Sequence, residues 1–361
     1  MTIGINPTLW KEDWEEGRAS ISRWWSHEGL ALCVTAPAEL PHEDIKPPEQ
    51  APTLEHRWLN PEHRISSSLF HLSKVWFGGA AFPICNVDIG PGSLGLFLDG
   101  IGHLAEDTVW YEPTLSDPDA APSLCHINTS GIWWERHIAL IKQAQRYAAG
   151  RFVIGMPDLI ENLDVLAQLR NPQTILMDII ERPEWCLEKI EEINTAWFEA
   201  FDQIYSMIET PWGGNATGAF SIWGPGRTAK LQCDISCAIS PTMYRKFVIP
   251  ALTKQCRKLD FSMYHLDGTQ ALPQLNNLLA IEELDAIEWT PQSGIEGGGS
   301  PRWFDLYRAI KAGGKSVQAI QVKPTEVLPL IDAVGPEGMF IMCEAMDEKQ
   351  GRDLLARTQS M

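Results

Sequence analysis

The sequence predicts an α/β fold: a (β/α)8 barrel preceded by an irregular N-terminal extension. Three observations carry this reading. From about residue 80 onward, short apolar runs alternate with amphipathic stretches; polar or ligating residues recur where the runs end; and several amphipathic stretches open with proline. A chain of 361 residues is long for one domain, but barrels of this kind reach that length as a single unit. The expectation is one domain over residues 1–361, with 1–80 as a covering extension and 81–361 as the barrel core.

Taken in order, residues 1–80 are proline-bearing, with a helical hint around Trp10-Lys11-Glu12-Asp13-Trp14 and a polar stretch from Pro41 to Pro52. Eight strand candidates follow: Ile84–Ile89, Phe152–Met156, Ala219–Trp223, Lys230–Asp234, Phe261–Leu266, Ala286–Trp289, Ser316–Gln321 and Met339–Cys343. Between them lie helices over Trp133–Ala149, Pro183–Ile208, Pro241–Arg257, Thr269–Leu279, Pro301–Ala312 and Pro324–Val334. Proline is at home in a helix's first turn, where its missing N–H costs nothing. The Pro183 segment spaces Trp185, Leu187, Ile190, Ile193, Trp197, Phe201 and Ile204 mostly three or four apart, as an amphipathic helix requires. An open doubly wound sheet is the alternative. No G-x-G-x-x-G follows a strand candidate, and neither Gly213-Gly214 nor Gly297-Gly298-Gly299 leads into Lys-Ser/Thr, so dinucleotide and phosphate-loop readings fall away.

A net charge of −18 argues against nucleic acid, which needs clustered Lys and Arg, and against an anionic membrane surface. No window approaches the roughly 18 apolar residues of a membrane span. The start, Met1-Thr2-Ile3-Gly4-Ile5-Asn6-Pro7, lacks a basic segment followed by an apolar one, so the cytoplasm is expected. Eight scattered cysteines read as reduced thiols, and the Cys233/Cys237 pair has no zinc-ribbon partner downstream. Fifteen tryptophans, several in polar company, suggest that some line a cavity.

The most informative stretch is Phe261-Ser262-Met263-Tyr264-His265-Leu266-Asp267-Gly268. Strand alternation puts His265 and Asp267 on one face, and Gly268 lets the chain turn just past them. An Asp-Gly turn beside a core histidine would look the same. The other strand ends weigh toward a site: Asp88, Asp158, Trp223, Asp234, Glu288, Gln321, and Cys343 with Glu344. In a barrel these converge on one mouth, which outlines a metal or acid–base site. Asp234, Asp267 and Glu288 are the candidate catalytic residues; Glu288, between Ile287 and Trp289, would be costly to bury without a partner. Trp223, Trp289, Arg227 and Tyr264 are the candidate substrate-binding residues, although alternation turns Tyr264 toward the outer helices. The remaining histidines, His27, His42, His56, His63, His71, His103, His126 and His137, show no paired spacing.

Four segments, Leu231-Gln232-Cys233-Asp234-Ile235-Ser236-Cys237-Ala238-Ile239-Ser240-Pro241, Phe247-Val248-Ile249-Pro250, Tyr264-His265-Leu266-Asp267-Gly268 and Ile287-Glu288-Trp289-Thr290-Pro291, resemble the uroporphyrinogen-decarboxylase-like superfamily, in particular its corrinoid-associated methyltransferases. The resemblance spans residues from about 80 to the C-terminus and implies a (β/α)8 barrel. In that branch it also implies zinc held by His-x-Cys after one strand and by a cysteine after the last. Here His265 matches the histidine, Cys343 the final cysteine, and Asp267 stands where the middle cysteine would be, so the implied ligands are His265, Cys343 and Asp267. A harder carboxylate still permits zinc. The implied reaction is metal-assisted methyl transfer between a small methylated compound or thiol and a corrinoid, which a partner protein would carry because no D-x-H-x-x-G loop is present. The decarboxylase branch fits less well, since Ile21–Gly29 lacks its Arg-rich motif. A metal-independent acid–base enzyme, decarboxylase or carbohydrate-active, using Asp234, Asp267 and Glu288 is the alternative.

Overall fold

The computed structural model describes residues 9–11 and 13–359. The Met1–Pro7 segment and Glu12 of the helical hint lie outside the described residues. In chain order the strands are β1 Leu30–Pro37, β2 Val75–Gly79, β3 Ile84–Cys85, β4 Ile101–Leu104, β5 Val109–Glu112, β6 Val153–Met156, β7 Asn215–Thr217, β8 Ile222–Gly224, β9 Thr228–Gln232, β10 Phe261–Asp267, β11 Ala286–Thr290, β12 Ser316–Val322 and β13 Met339–Glu344.

A seven-stranded sheet runs β2-β1-β13-β12-β11-β10-β9, parallel throughout except for β2, which is antiparallel to β1. A four-stranded sheet runs β3-β6-β7-β8, with β8 antiparallel to β7; β4 and β5 form a hairpin. Among the described residues no hydrogen-bonded ladder joins the two sheets, so the structure is a mixed α/β fold built on a parallel sheet. One seam is bridged by a side chain: the Asn215 amide accepts from the Thr228 N–H at 2.9 Å and donates to the Thr228 carbonyl at 2.9 Å. No described helix is long and apolar enough to cross a membrane.

Residues 30–37 depart from the expected irregular extension. Leu30–Pro37 is a central strand, hydrogen-bonded between β2 and β13, with Ala31, Val34 and Ala36 buried. A parallel strand covered on both faces reads as an unbroken apolar run rather than an alternation, and the prolines downstream hid it. The helix Trp14–Trp25 packs on the amino ends of the strands: Trp24 Nε1 donates to the Val317 carbonyl at 3.0 Å and Trp25 Nε1 to the Trp223 carbonyl at 2.9 Å. The Ala219–Trp223 candidate divides into a helical turn, Ala219–Ser221, and the antiparallel β8. The Ile84–Ile89 candidate shortens to two residues. The Pro183–Ile208 helix forms as read, burying Ile190, Ile193, Trp197, Phe201 and Ile204. All eight cysteines are free thiols.

Candidate active site

Register brings the site together. His265 of β10 pairs with Gln232 of β9 on one side and Glu288 of β11 on the other, and paired residues of parallel strands share a face. Asp267, two residues on, keeps that face. Gly268 then adopts φ 73°, a left-handed conformation that suits glycine, and its N–H donates to the Thr290 carbonyl at 3.0 Å, so the chain turns away directly after Asp267. Asp234 begins the turn after β9. The Asp164 carboxylate accepts from the Asp234 N–H at 2.6 Å and the Ile235 N–H at 3.1 Å, pinning that turn, while Asp234's own carboxylate accepts from Gln232 Nε2 at 2.8 Å. One ligand atom each from Asp234, His265 and Asp267 lies within 4.8 Å of the other two.

Behind this trio stands Glu288, fully buried. Its Oε2 is 2.5 Å from His265 Nδ1, and Thr290 Oγ1 donates to its Oε1 at 2.8 Å. With Nδ1 engaged, Nε2 is the nitrogen left for Asp234 and Asp267. Burial lowers the His265 pKa, but the hydrogen bond and charge of Glu288 outweigh it, and the net shift is upward. Burial raises Glu288, against the pull of His265; burial likewise raises Asp234, opposed by His265 and Lys230.

A second layer supports the first. Lys230, buried in β9, places Nζ 2.7 Å from Asp158 Oδ1 and also bonds Gln232 Oε1, so Asp158, Lys230, Gln232 and Asp234 form one chain of contacts. Burial lowers the Lys230 pKa, but Asp158 and Glu161 outweigh it and the shift is upward. Glu161 Oε2 accepts from the Gln232 N–H at 2.7 Å, and burial pushes its carboxyl well above the usual range. Burial and Asp234 push Asp164 to about 7; burial and Asp158 push Asp88 to about 7. Asp88 Oδ1 accepts from the Asp158 N–H at 2.5 Å, which links two of the predicted strand-end acids. Sequence reasoning missed Lys230, Gln232, Glu161 and Asp164. A lysine inside the run Ala229-Lys230-Leu231 was the available signal, because a buried cation demands acids around it.

Beside the trio opens a cavity of about 550 Å³, lined by Cys33, Thr35, Phe77, Phe82, Ile320 and Met342, with Lys323 and Glu344 also in its wall. The segment Gly218–Ser221 borders it and lays the Phe220 ring against His265, centroids 4.6 Å apart. Phe220 (φ 61°) and Ser221 (φ 48°) hold left-handed backbone that non-glycine residues rarely adopt, and the Phe220 carbonyl accepts from Gln318 Nε2 at 2.8 Å.

Five predicted residues lie outside the trio. Cys343 is not part of the trio. The face of His265 continues through Glu288 and Gln318 to Phe340, and two residues on to Met342, whose Sδ accepts from Gln318 Nε2 at 3.3 Å; Cys343 has the opposite parity, pairs with Val34 and borders the neighbouring cavity rather than the trio. Its thiol is raised to about 11 by burial, with Glu326 and Glu344 nearby. Tyr264 is buried beside Tyr244 of the helix Pro241–Phe247, on the outer side of β10. Trp289 is buried against Trp303, centroids 4.9 Å apart. Trp223 sits at the amino end with Trp14, and Arg227 precedes β9 at that same end, paired with Asp202. No tryptophan lines the 550 Å³ cavity among the described residues, because the indoles supply volume to the core and amino end.

No protein-family model matches the sequence, and no curated protein matches it. Among solved structures, the fold is similar to that of a methyltransferase from Methanosarcina mazei, with a TM-score of 0.61 and 11% identity over 96% of this chain and 98% of that one. At that identity the likeness is one of fold.

Proposed function

We propose that this chain is a methyltransferase of the uroporphyrinogen-decarboxylase-like superfamily, with its parallel strands arranged as a (β/α)8 barrel, and that it acts in the cytoplasm. It moves a methyl group between a small methylated compound or thiol and a corrinoid carried on a partner protein. The likeness of fold over nearly the whole chain supports this reading, as does the Asn215–Thr228 bridge across one seam of the sheets. The observation that carries it is the meeting of Asp234, His265 and Asp267 at the strand ends, with Glu288 behind the imidazole.

Those residues fit a divalent metal with one nitrogen and two oxygen donors, zinc among them, while the thiolates of the resembled site are absent from the trio. Asp234, His265 and Asp267 would hold it, and when bound it would polarise the heteroatom that carries or receives the methyl group. The protein's own residues do the rest. Glu288 fixes the imidazole tautomer and direction, as carboxylates do behind metal-binding histidines. Gln232 and Lys230 hold Asp234 in place. Phe220 shields the imidazole from water, and the adjoining cavity receives the substrate.

The Glu288–His265 pair, with its raised pKa values, favours the competing metal-independent acid–base reading. Elemental analysis of protein purified without chelators decides between them. The expected result is one metal per chain, lost in His265→Ala and Asp267→Ala but retained in Cys343→Ala, with methyl transfer to or from methylcobalamin lost alongside the metal. A metal-free protein with full activity would establish the acid–base reading instead.

A further inference from the structure

The four-residue set His63, Arg64, Ser67 and His71 lies along the helix Pro61–Leu72 and, with Arg57 of the helix Leu54–Leu59, lines a second cavity of about 580 Å³. The only carboxylate in that lining is Asp107. In a chain of net charge −18 this lining sets two arginines and two histidines against one carboxylate. The groups are also held in place. The Arg64 guanidinium lies 4.8 Å from the Trp58 ring and uses one N–H on the Asp88 carbonyl at 2.8 Å, which leaves other donors of its fork for the cavity. Arg57 is anchored by Glu106, and the His56 and His63 rings are 5.1 Å apart. Burial and then the neighbouring His56, Arg57 and Arg64 lower the His63 pKa, as a positive local field should.

This cavity adjoins the catalytic one, since Leu72 and Ile84 line both. We propose that it is a subsite for an oxyanion group, carboxylate or phosphate, on the molecule whose apolar body occupies the 550 Å³ cavity. Arg64 is the main anchor, with His63, Ser67 and His71 as further donors. The substrate class is thereby narrowed to small apolar molecules bearing one anionic end. This deepens the methyltransferase reading and rests on it for the identity of the neighbouring cavity, but its test does not depend on turnover.

Titration calorimetry of the full chain with inorganic phosphate and, separately, with benzoate is the experiment. The expected result is saturable binding of at least one probe, weakened about tenfold or more in Arg64→Gln and in Ser67→Asp, and unchanged in His265→Ala. Ser67→Asp adds a repelling charge at a half-buried helix position, so it tests the site even if Arg64→Gln does not fold. The tighter probe identifies the anionic group. Failure of both probes to bind, or binding unaffected by Ser67→Asp, overturns the subsite. Binding as expected in a chain that transfers no methyl group would leave the subsite standing and sink the methyltransferase instead.

Discussion

The two sides of the mouth are built from the same kind of parallel strand and do opposite work. Where β9, β10 and β11 end, Asp234, His265, Asp267 and Glu288 concentrate charge over a buried lysine. Where β12, β13 and β1 end, Ile320, Met342, Cys33 and Thr35 make a largely apolar wall. The difference lies in which residue types occupy the inward parity of each strand. On the proposed function one side supplies chemistry and the other shape, and the parity of a strand-end residue decides whether it faces the trio.

The largest expected effect breaks the charged side alone. His265→Ala should lower methyl transfer by about 10³-fold, the range associated with losing a central acid–base or metal-binding group. Thr35→Phe, on the apolar wall, should raise KM with kcat nearly kept, because it removes space without touching charge. Steady-state kinetics on both variants tests the division. Equal losses of kcat in the two would mean that the sides are not separate.

Next in size is Glu288→Gln. The amide is nearly isosteric but carries no charge, so His265 loses the contact that raises its pKa. Loss of a carboxylate behind a metal-binding histidine costs about 10–100-fold in metal affinity or activity. An NMR titration should show the His265 pKa falling in the variant. A pKa that stays put would remove Glu288 from its positioning role.

The charged side was the more legible of the two. His265, Asp267, Asp234 and Glu288 could be read because strand alternation and the Asp-Gly turn are local signals. The Pro183–Ile208 helix was legible for the same reason, through its periodicity. What escaped depends on partners remote in sequence. β1 reads as apolar filler until β13, some 300 residues away, pairs with it. The roles of Asp164 and Glu161 rest on backbone N–H groups about 70 residues downstream. That Cys343 borders the cavity rather than sharing the trio's face depends on the register irregularity between Ala319 and Val322 and on the parity of β13, which pairing sets and an isolated apolar run does not reveal.

The two sides should also differ in their response to pH. Asp88 and Asp164 are pushed from 3.8 to about 7 in the folded chain, so between those values the folded state holds protons that the unfolded state has released. Stability contributed by these groups is present below about pH 4 and is lost as pH rises through about 7. The Cys33 thiol across the mouth, pushed up to about 12, is silent in that window. Asp88→Asn should therefore flatten the fall of the thermal midpoint across this range, whereas Cys33→Ala should leave its slope unchanged. A slope indifferent to Asp88→Asn would show that the carboxyl is not protonated in the folded chain.

The smallest effects belong to residues off the trio's face, and they test the parity argument most directly. Tyr264→Phe removes a hydroxyl beside Tyr244, at a cost of about 1 kcal/mol in stability, and should leave methyl transfer within about twofold of the parent chain. Cys343→Ala removes a buried sulfur that pairs in register with Val34, and the same modest loss of stability is expected from the space it leaves. If Cys343→Ala instead abolished activity and metal together while the fold persisted, the sulfur would have to reach from the cavity lining to the metal. The face traced from His265 through Glu288 and Gln318 to Met342 would then be the wrong guide to the site, and the resembled ligand set of His265, Asp267 and Cys343 would take the place of the trio that includes Asp234.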